Sequence, residues 1–227
     1  LAKPGVPPGP AQHAGAVADL RAGHFCAFLY PVGHAAHAEG EKHALAKSVA
    51  DALKAIAEFY REQLSCKIIG ITGSVGKTST KEIIASVLSE KYQVLKTEGN
   101  YNNEIGMPLT MLKIRDNHQI AVIEMGISDF GEMHRLANIS KPDVCVITNI
   151  GTCHLENLGD RDGVFRAKTE MFEHAQKDCF VVLNGDDDKL SQIKDVRGVK
   201  PVFFGIETDR DVCAVKYQSL GIEGTKV

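Results

Sequence analysis

The chain has 227 residues, 44% of them hydrophobic and 24% charged, with a formal net charge of −3. This is the composition of a globular chain long enough for one large domain or two small ones. With no basic block, nucleic acid or an anionic membrane is not expected as the main partner. No apolar run nears the ~18 residues of a membrane-spanning helix, and the N-terminus lacks a continuous apolar signal core.

Residues 1–22 are rich in Pro, Gly and Ala and read as a flexible tail. Residues 23–40 are ambiguous, with a short strand at Phe25–Tyr30 as one reading and a small, His-rich stretch after it. His34, His37 and His43 have no cysteine or carboxylate partners at metal-ligand spacing. From Glu41 to Leu64, Leu45, Val49, Leu53, Ile56, Tyr60 and Leu64 recur at spacings of three and four, which predicts an amphipathic helix. After Cys66, apolar runs at 67–72, 92–95, 120–123, 143–148, 179–183 and 201–204 predict strands, with helices at 78–90, 131–138 and 161–175 between several of them. The alternation predicts an α/β fold: a mostly parallel sheet with helices on both faces, binding ligands beyond the carboxyl ends of its strands. Six cysteines, at 26, 66, 145, 153, 179 and 213, form no C-x-x-C pair and read as reduced, mostly buried thiols of a cytosolic protein.

The stretch Gly70-Ile71-Thr72-Gly73-Ser74-Val75-Gly76-Lys77-Thr78-Ser79 lies between a predicted strand and a predicted helix. A glycine-rich turn there leaves backbone N–H groups pointing outward at the positive end of a helix dipole, where phosphate fits. Lys77 can reach β- and γ-phosphates, and the hydroxyl of Thr78 or Ser79 can ligate Mg²⁺. The first glycine of the general G-x-x-x-x-G-K-[ST] pattern is absent, since position 71 is Ile; Gly73 and Gly76 carry the turn.

Polar residues at the predicted strand ends complete the candidate site. Glu124 ends the run at 120–123 and reads either as a solvated carboxylate or, with the phosphate loop nearby, as a Mg²⁺ ligand. His154 follows the run at 143–148 and reads as a surface residue or as a metal- or phosphate-linked group. Lys168 lies in the helix predicted from Arg161, where Phe165, Met171 and Phe172 point to partial burial; spacing does not place it in the site. Asn184 and Asp186 follow the run at 179–183 and either contact the nucleoside or cap the next short helix.

Several segments together resemble the Mur ligase family of peptidoglycan synthesis. The loop Ile71–Ser79 matches that family's variant, including the missing first glycine. Thr97–Pro108, with Gly99-Asn100-Tyr101-Asn102-Asn103, is similar to the G-N-x-N-N-x-I-G-x-P segment of the branch that ligates D-alanyl-D-alanine. Ala121–Gly126 resembles the E-x-G strand end, and Asp143–His154, Arg166–Glu170 and Val182–Asp187 follow in the order and spacing of that branch. The likeness covers about 66–227.

The resemblance implies an ATP-dependent amide ligase. The C-terminal carboxylate of a UDP-N-acetylmuramoyl-tripeptide would attack ATP to give an acyl phosphate, and the amine of D-alanyl-D-alanine would displace phosphate. Lys77 then contacts phosphates, Thr78 binds Mg²⁺, Glu124 and His154 serve the metal sites, and Lys168 takes the position of the family's carbamylated lysine. Asn184 and Asp186 lie near the nucleoside, and Asn102 and Asn103 line the substrate side. The same likeness implies a remnant of a UDP-substrate domain plus a linking helix at 23–65, and a central ATP-binding domain at 66–227. The family's third domain has no counterpart in this sequence, so the chain is expected to show little ligase turnover alone. A cytoplasmic monomer is expected. The competing readings are a folylpolyglutamate synthase-like ligase, a P-loop ATPase switch and a non-catalytic nucleotide-binding piece.

Overall fold

In the computed structural model the described residues are 48–206, 210–214 and 216–226. The expected tail, the ambiguous stretch at 23–40, the first turns of the helix predicted from Glu41, with Leu45 and His43, and Cys26 lie outside them.

Helix α1 (Val49–Glu62) opens at Ser48, whose hydroxyl accepts the Asp51 amide at 3.1 Å. That bond satisfies one donor the helix itself leaves unpaired. Its buried stripe is centred on Ala57 and Arg61, while Val49 is exposed and Leu53, Ile56, Tyr60 and Leu64 are half-buried. Sequence periodicity puts the apolar series at the centre of the buried face. The structure centres it one residue further on, because Arg61 has acceptors to meet there.

Seven parallel strands form one sheet: β1 (Lys67–Thr72), β2 (Val94–Lys96), β3 (Ile120–Glu124), β4 (Val144–Ile147), β5 (Phe180–Asn184), β6 (Val202–Gly205) and β7 (Val212–Cys213), in the order β2-β3-β1-β4-β5-β6-β7. A separate antiparallel pair, β8 (Gln218–Ser219) and β9 (Thr225–Lys226), follows. The helices are α2 (Lys77–Ser89), α3 (Gly106–Met111), α4 (Glu132–Ser140), α5 (Leu155–Leu158) and α6 (Arg161–Thr169). Successive strand residues alternate between two cores. Ile68, Ala121, Ile123, Cys145, Ile147, Val181 and Leu183 join the larger one, and Ile71, Val122 and Val146 join a smaller one with Ala85 of α2. Both faces being covered is why these strands read as unbroken apolar runs.

Three expectations shift. The helix predicted over 161–175 ends at Thr169, and the chain tightens into a 3₁₀ turn over Glu170–His174. The Thr169 hydroxyl donates to the carbonyls of Phe165 and Arg166 at 2.9 and 3.0 Å, competing with the helix ladder. The strand expected at 92–95 lies at 94–96. Helix α3 was not expected from periodicity: it has six residues, starts on Gly106 and includes Pro108.

Among the described cysteines no disulfide is formed, and Cys66, Cys145 and Cys179 are buried as expected. Among the described residues, no helix is long and apolar enough to cross a membrane.

Candidate active site

The turn after β1 has the build of an anion cradle. Gly76 sits in the left-handed region at φ 80°, with open space where a side chain would be. Gly73, at φ 149°, lies so close to the end of β4 that an added Cβ would come within 1.9 Å of Thr148 Oγ1. The loop is braced from that strand end: Ser74 N donates to Asn149 O and Val75 N to Asn149 Oδ1, both at 3.1 Å, and Thr148 Oγ1 donates to Val75 O at 2.7 Å. Helix α2 then starts at Lys77 without a side-chain cap. Its first amides and its dipole therefore face the cleft unopposed. Lys77 Nζ curls over the loop and donates to Gly73 O at 2.9 Å.

The acid at the end of β3 stands directly beside this loop, because the sheet register pairs Glu124 with Ile71. Glu124 is 1% exposed, so it is no solvated strand end. Thr78 Oγ1 donates to Oε2 at 3.0 Å, Asn102 Nδ2 donates to Oε1 at 2.8 Å, and Lys81 Nζ lies 3.7 Å from Oε2. A hydroxyl and a carboxylate converging in this way are hard oxygen donors, the chemistry that suits Mg²⁺. Lys81, itself 1% exposed, is the residue that sequence reasoning missed. The available signal was its position on α2, three residues after Thr78 and so on the same helical face.

Next to the loop's hollow of about 420 Å³, lined by residues 74–79, Asn102 and Glu124, opens a cleft of about 240 Å³. Lys77 and Asn102 line both; Lys168, Cys153, His154 and Asn103 line the second. Lys168, ambiguous in the sequence, is 1% exposed inside this cleft. Burial pushes its ammonium down to about 8; Cys153 opposes the shift and Lys77 adds to it. His154 starts α5 in the left-handed conformation, φ 55°, with its ring partly exposed and Nδ1 3.8 Å from Glu156 Oε1. Asn103 has a second task, since its Oδ1 accepts the Gly106 amide at 2.8 Å and so starts α3.

Asn184 and Asp186 lie outside this cleft's lining, at the end of β5, with β4 between them and the phosphate loop. Asn184 Oδ1 accepts the Asp186 amide at 2.9 Å, and Asp186 accepts from Ile206 N at 2.6 Å and Arg210 Nε at 3.2 Å. The capping role weighed for these two belongs to Asp187 instead. Its carboxylate accepts from Lys189 N and Leu190 N at 3.0 Å each and also from Ile150 N at 2.8 Å, tying the β4 and β5 loops together.

The chain matches the family model described as the Mur ligase middle domain over residues 71–226. It is 44% identical over 152 residues to the UDP-N-acetylmuramoyl-tripeptide–D-alanyl-D-alanine ligase of Bacillus subtilis, covering 66% of this chain and 33% of that protein. Among solved structures it is similar to MurF from Acinetobacter baumannii, with TM-score 0.72, 34% identity and coverage of 79% of this chain and 42% of the other. It is also similar to the MurF ligase of Thermotoga maritima in complex with ADP, with TM-score 0.66, 36% identity and coverage of 76% and 40%. The chain thus spans about a third of the length of the curated relatives it matches.

Proposed function

The chain belongs to the Mur ligase family through that family's middle domain, and from this we propose that it is the ATP-handling part of a ligase that joins D-alanyl-D-alanine to UDP-N-acetylmuramoyl-tripeptide. Residues 66–227 serve as the central domain, and a cytoplasmic, monomeric protein acting in peptidoglycan synthesis is the setting. The curated relatives carry this activity in their names.

In this reading the triphosphate lies on Gly73, Ser74, Val75 and Gly76 and on the first amides of α2 at Lys77, Thr78 and Ser79. Lys77 leaves the Gly73 carbonyl for phosphate oxygens. Thr78 and Glu124 hold one Mg²⁺, His154 and a carbamylated Lys168 serve a second, and Asn102 keeps the Glu124 carboxylate oriented. The ions, when bound, supply neutralisation of phosphate charge. Asn102 and Asn103 face the acceptor, and Asn184 and Asp186 face the nucleoside.

The tripeptide carboxylate attacks the γ-phosphorus of ATP as the bond to ADP breaks. The amine of D-alanyl-D-alanine then attacks the acyl carbon, loses a proton and expels phosphate, leaving an amide. Two anions must meet for the first step, and the lysine and helix dipole let them approach.

One observation carries the reading: Thr78 Oγ1 meets the buried Glu124 carboxylate at 3.0 Å beside an uncapped helix start. Calorimetry of this chain with ATP tests it. Magnesium-dependent uptake is expected, weakened roughly 10–100-fold in Lys77→Ala through loss of a charge-assisted contact. A folded chain that takes up no ATP with magnesium would overturn the reading.

A further inference from the structure

Away from the cleft, His134 in the first turn of α4 meets Glu173 and His174 at the end of the 3₁₀ turn that follows α6. His134 Nδ1 lies 2.8 Å from Glu173 Oε2, and His174 Nε2 lies 3.2 Å from both nitrogens of the His134 ring. The two rings are edge-on, with centroids 4.3 Å apart and planes at 80°. One donor atom from each of the three residues falls within 4.8 Å of the other two.

We infer that His134, Glu173 and His174 form a site for a divalent transition metal of the zinc class. Ligands at about 2.0–2.1 Å in a tetrahedral shell stand about 3.3 Å from one another. The donor separations of 2.8 and 3.2 Å are close to such a tetrahedral edge. Two imidazoles and a carboxylate select zinc, cobalt, nickel or copper over magnesium and calcium, which prefer all-oxygen shells. Side chains half-exposed to solvent leave the fourth position to water.

The backbone beneath these side chains is fixed before any ion arrives, which favours a built site over a chance meeting of surface residues. Glu170 accepts the amides of Gly131 and His134 at 3.1 Å, bonding the 3₁₀ turn to the start of α4. Arg197 Nη1 donates to the carbonyls of Phe172, Glu173 and Ala175 at 3.2, 3.1 and 2.9 Å. Met133, Leu136, Met171 and Phe172 are buried in one shared core directly below.

The site joins α4, whose Glu132 lines the cleft, to the 3₁₀ turn that follows the cleft-lining Lys168 of α6. Glu132 begins α4, and Lys168 precedes the 3₁₀ turn by two residues. A bound ion would clasp them together and raise stability by mass action.

Titration of the intact chain with Co²⁺ and Zn²⁺ alone tests this, read by cobalt visible absorption, calorimetry and thermal midpoint. The expected result is the visible bands of a nitrogen- and oxygen-ligated cobalt, displaced by Zn²⁺, and a midpoint raised by Zn²⁺ but not by equal Mg²⁺. His134→Ala and His174→Ala should each weaken uptake by roughly tenfold or more, and Glu173→Gln should weaken it less. Magnesium-dependent ATP uptake by the same variants shows that they remain folded. Five further histidines, at 13, 24, 34, 37 and 43, lie outside the described residues. Uptake unchanged in His134→Ala and His174→Ala would place the metal elsewhere and overturn the proposal, as would no uptake by the parent chain.

Discussion

The hydroxyl of the exposed Thr78 donates to the buried carboxylate of Glu124 at 3.0 Å, joining the first turn of α2 to the end of β3. Sheet register makes the pairing unavoidable, since Glu124 is opposite Ile71 and the phosphate loop begins two residues later. Glu124→Gln keeps the shape and removes the charge. It should weaken ATP uptake in magnesium by about 10–100-fold and change uptake without magnesium little. Calorimetry with and without the ion makes the comparison; equal losses in both would reduce Glu124 to a structural role.

Lys168 predicts a pH dependence of stability. Its folded-state pKa is about 8, against an ordinary 10.5, mainly because burial disfavours the ammonium. Between those two values the unfolded chain binds the extra proton, so stability rises with pH across that window. Below about 8 the full cost of burying the charge is present, about 3 kcal/mol. Lys168→Met should therefore be more stable than the parent at pH 7, with the advantage shrinking towards pH 10. Urea denaturation of both chains in carbonate-free buffer measures the difference, and a constant gap would contradict the assignment.

The same shift favours carbamylation. At pH 8 about half of Lys168 is neutral amine, against well under 1% for an ordinary lysine. Neutral amine is the form that reacts with carbon dioxide, giving an anion. Isotopically labelled bicarbonate should yield one carbamate resonance by NMR, absent from Lys168→Met and strengthened by Mg²⁺ with ATP. A resonance that survives Lys168→Met would belong to another amine.

The parallel sheet was legible because strands covered on both faces read as continuous apolar runs; those at 120–123 and 179–183 fall almost on β3 and β5. The loop at 73–79 was legible because its chemistry is local. Residues whose role depends on tertiary burial were not. Lys81 and Lys168 are ordinary lysines by pattern, and only the packing of α2 and α6 closes water off from them. Asp187 is the cap at which Asp186 was equally plausible, since adjacent acids in a loop differ only in direction. Helix α3 was hidden by its six-residue length and by Pro108.

Gly163 sets how α6 enters the site. A Cβ there would meet the Leu158 carbonyl oxygen at 1.7 Å, and that neighbour is backbone. The Gly163 amide, five residues before Lys168, also donates to Asp160 Oδ1 at 2.7 Å, fixing the helix start. Gly163→Ala should cost about 3 kcal/mol through overpacking. For a chain of this size that lowers the thermal midpoint by roughly 6–12 °C. An unchanged midpoint would mean the turn relaxes freely.

Arg61 is a helix cap supplied from another helix. Its Nε donates to Ser140 O at 2.7 Å and its Nη2 to Lys141 O at 3.1 Å, meeting carbonyls that the end of α4 leaves unpaired. Nη2 also reaches Asp143 Oδ2 at 3.2 Å, but Asp143 has other partners in Lys67 Nζ at 2.7 Å and Ile68 N at 2.9 Å. Burial pushes the Arg61 guanidinium below its ordinary value, with Asp143 opposing. Arg61→Met strands buried carbonyls and should cost about 3 kcal/mol. Asp143→Asn leaves those carbonyls bonded and can still accept from Ile68, so about 1 kcal/mol is expected. Chemical denaturation ranks the two. If Asp143→Asn costs as much as Arg61→Met, the ion pair rather than the capped helix end holds α1 to the sheet.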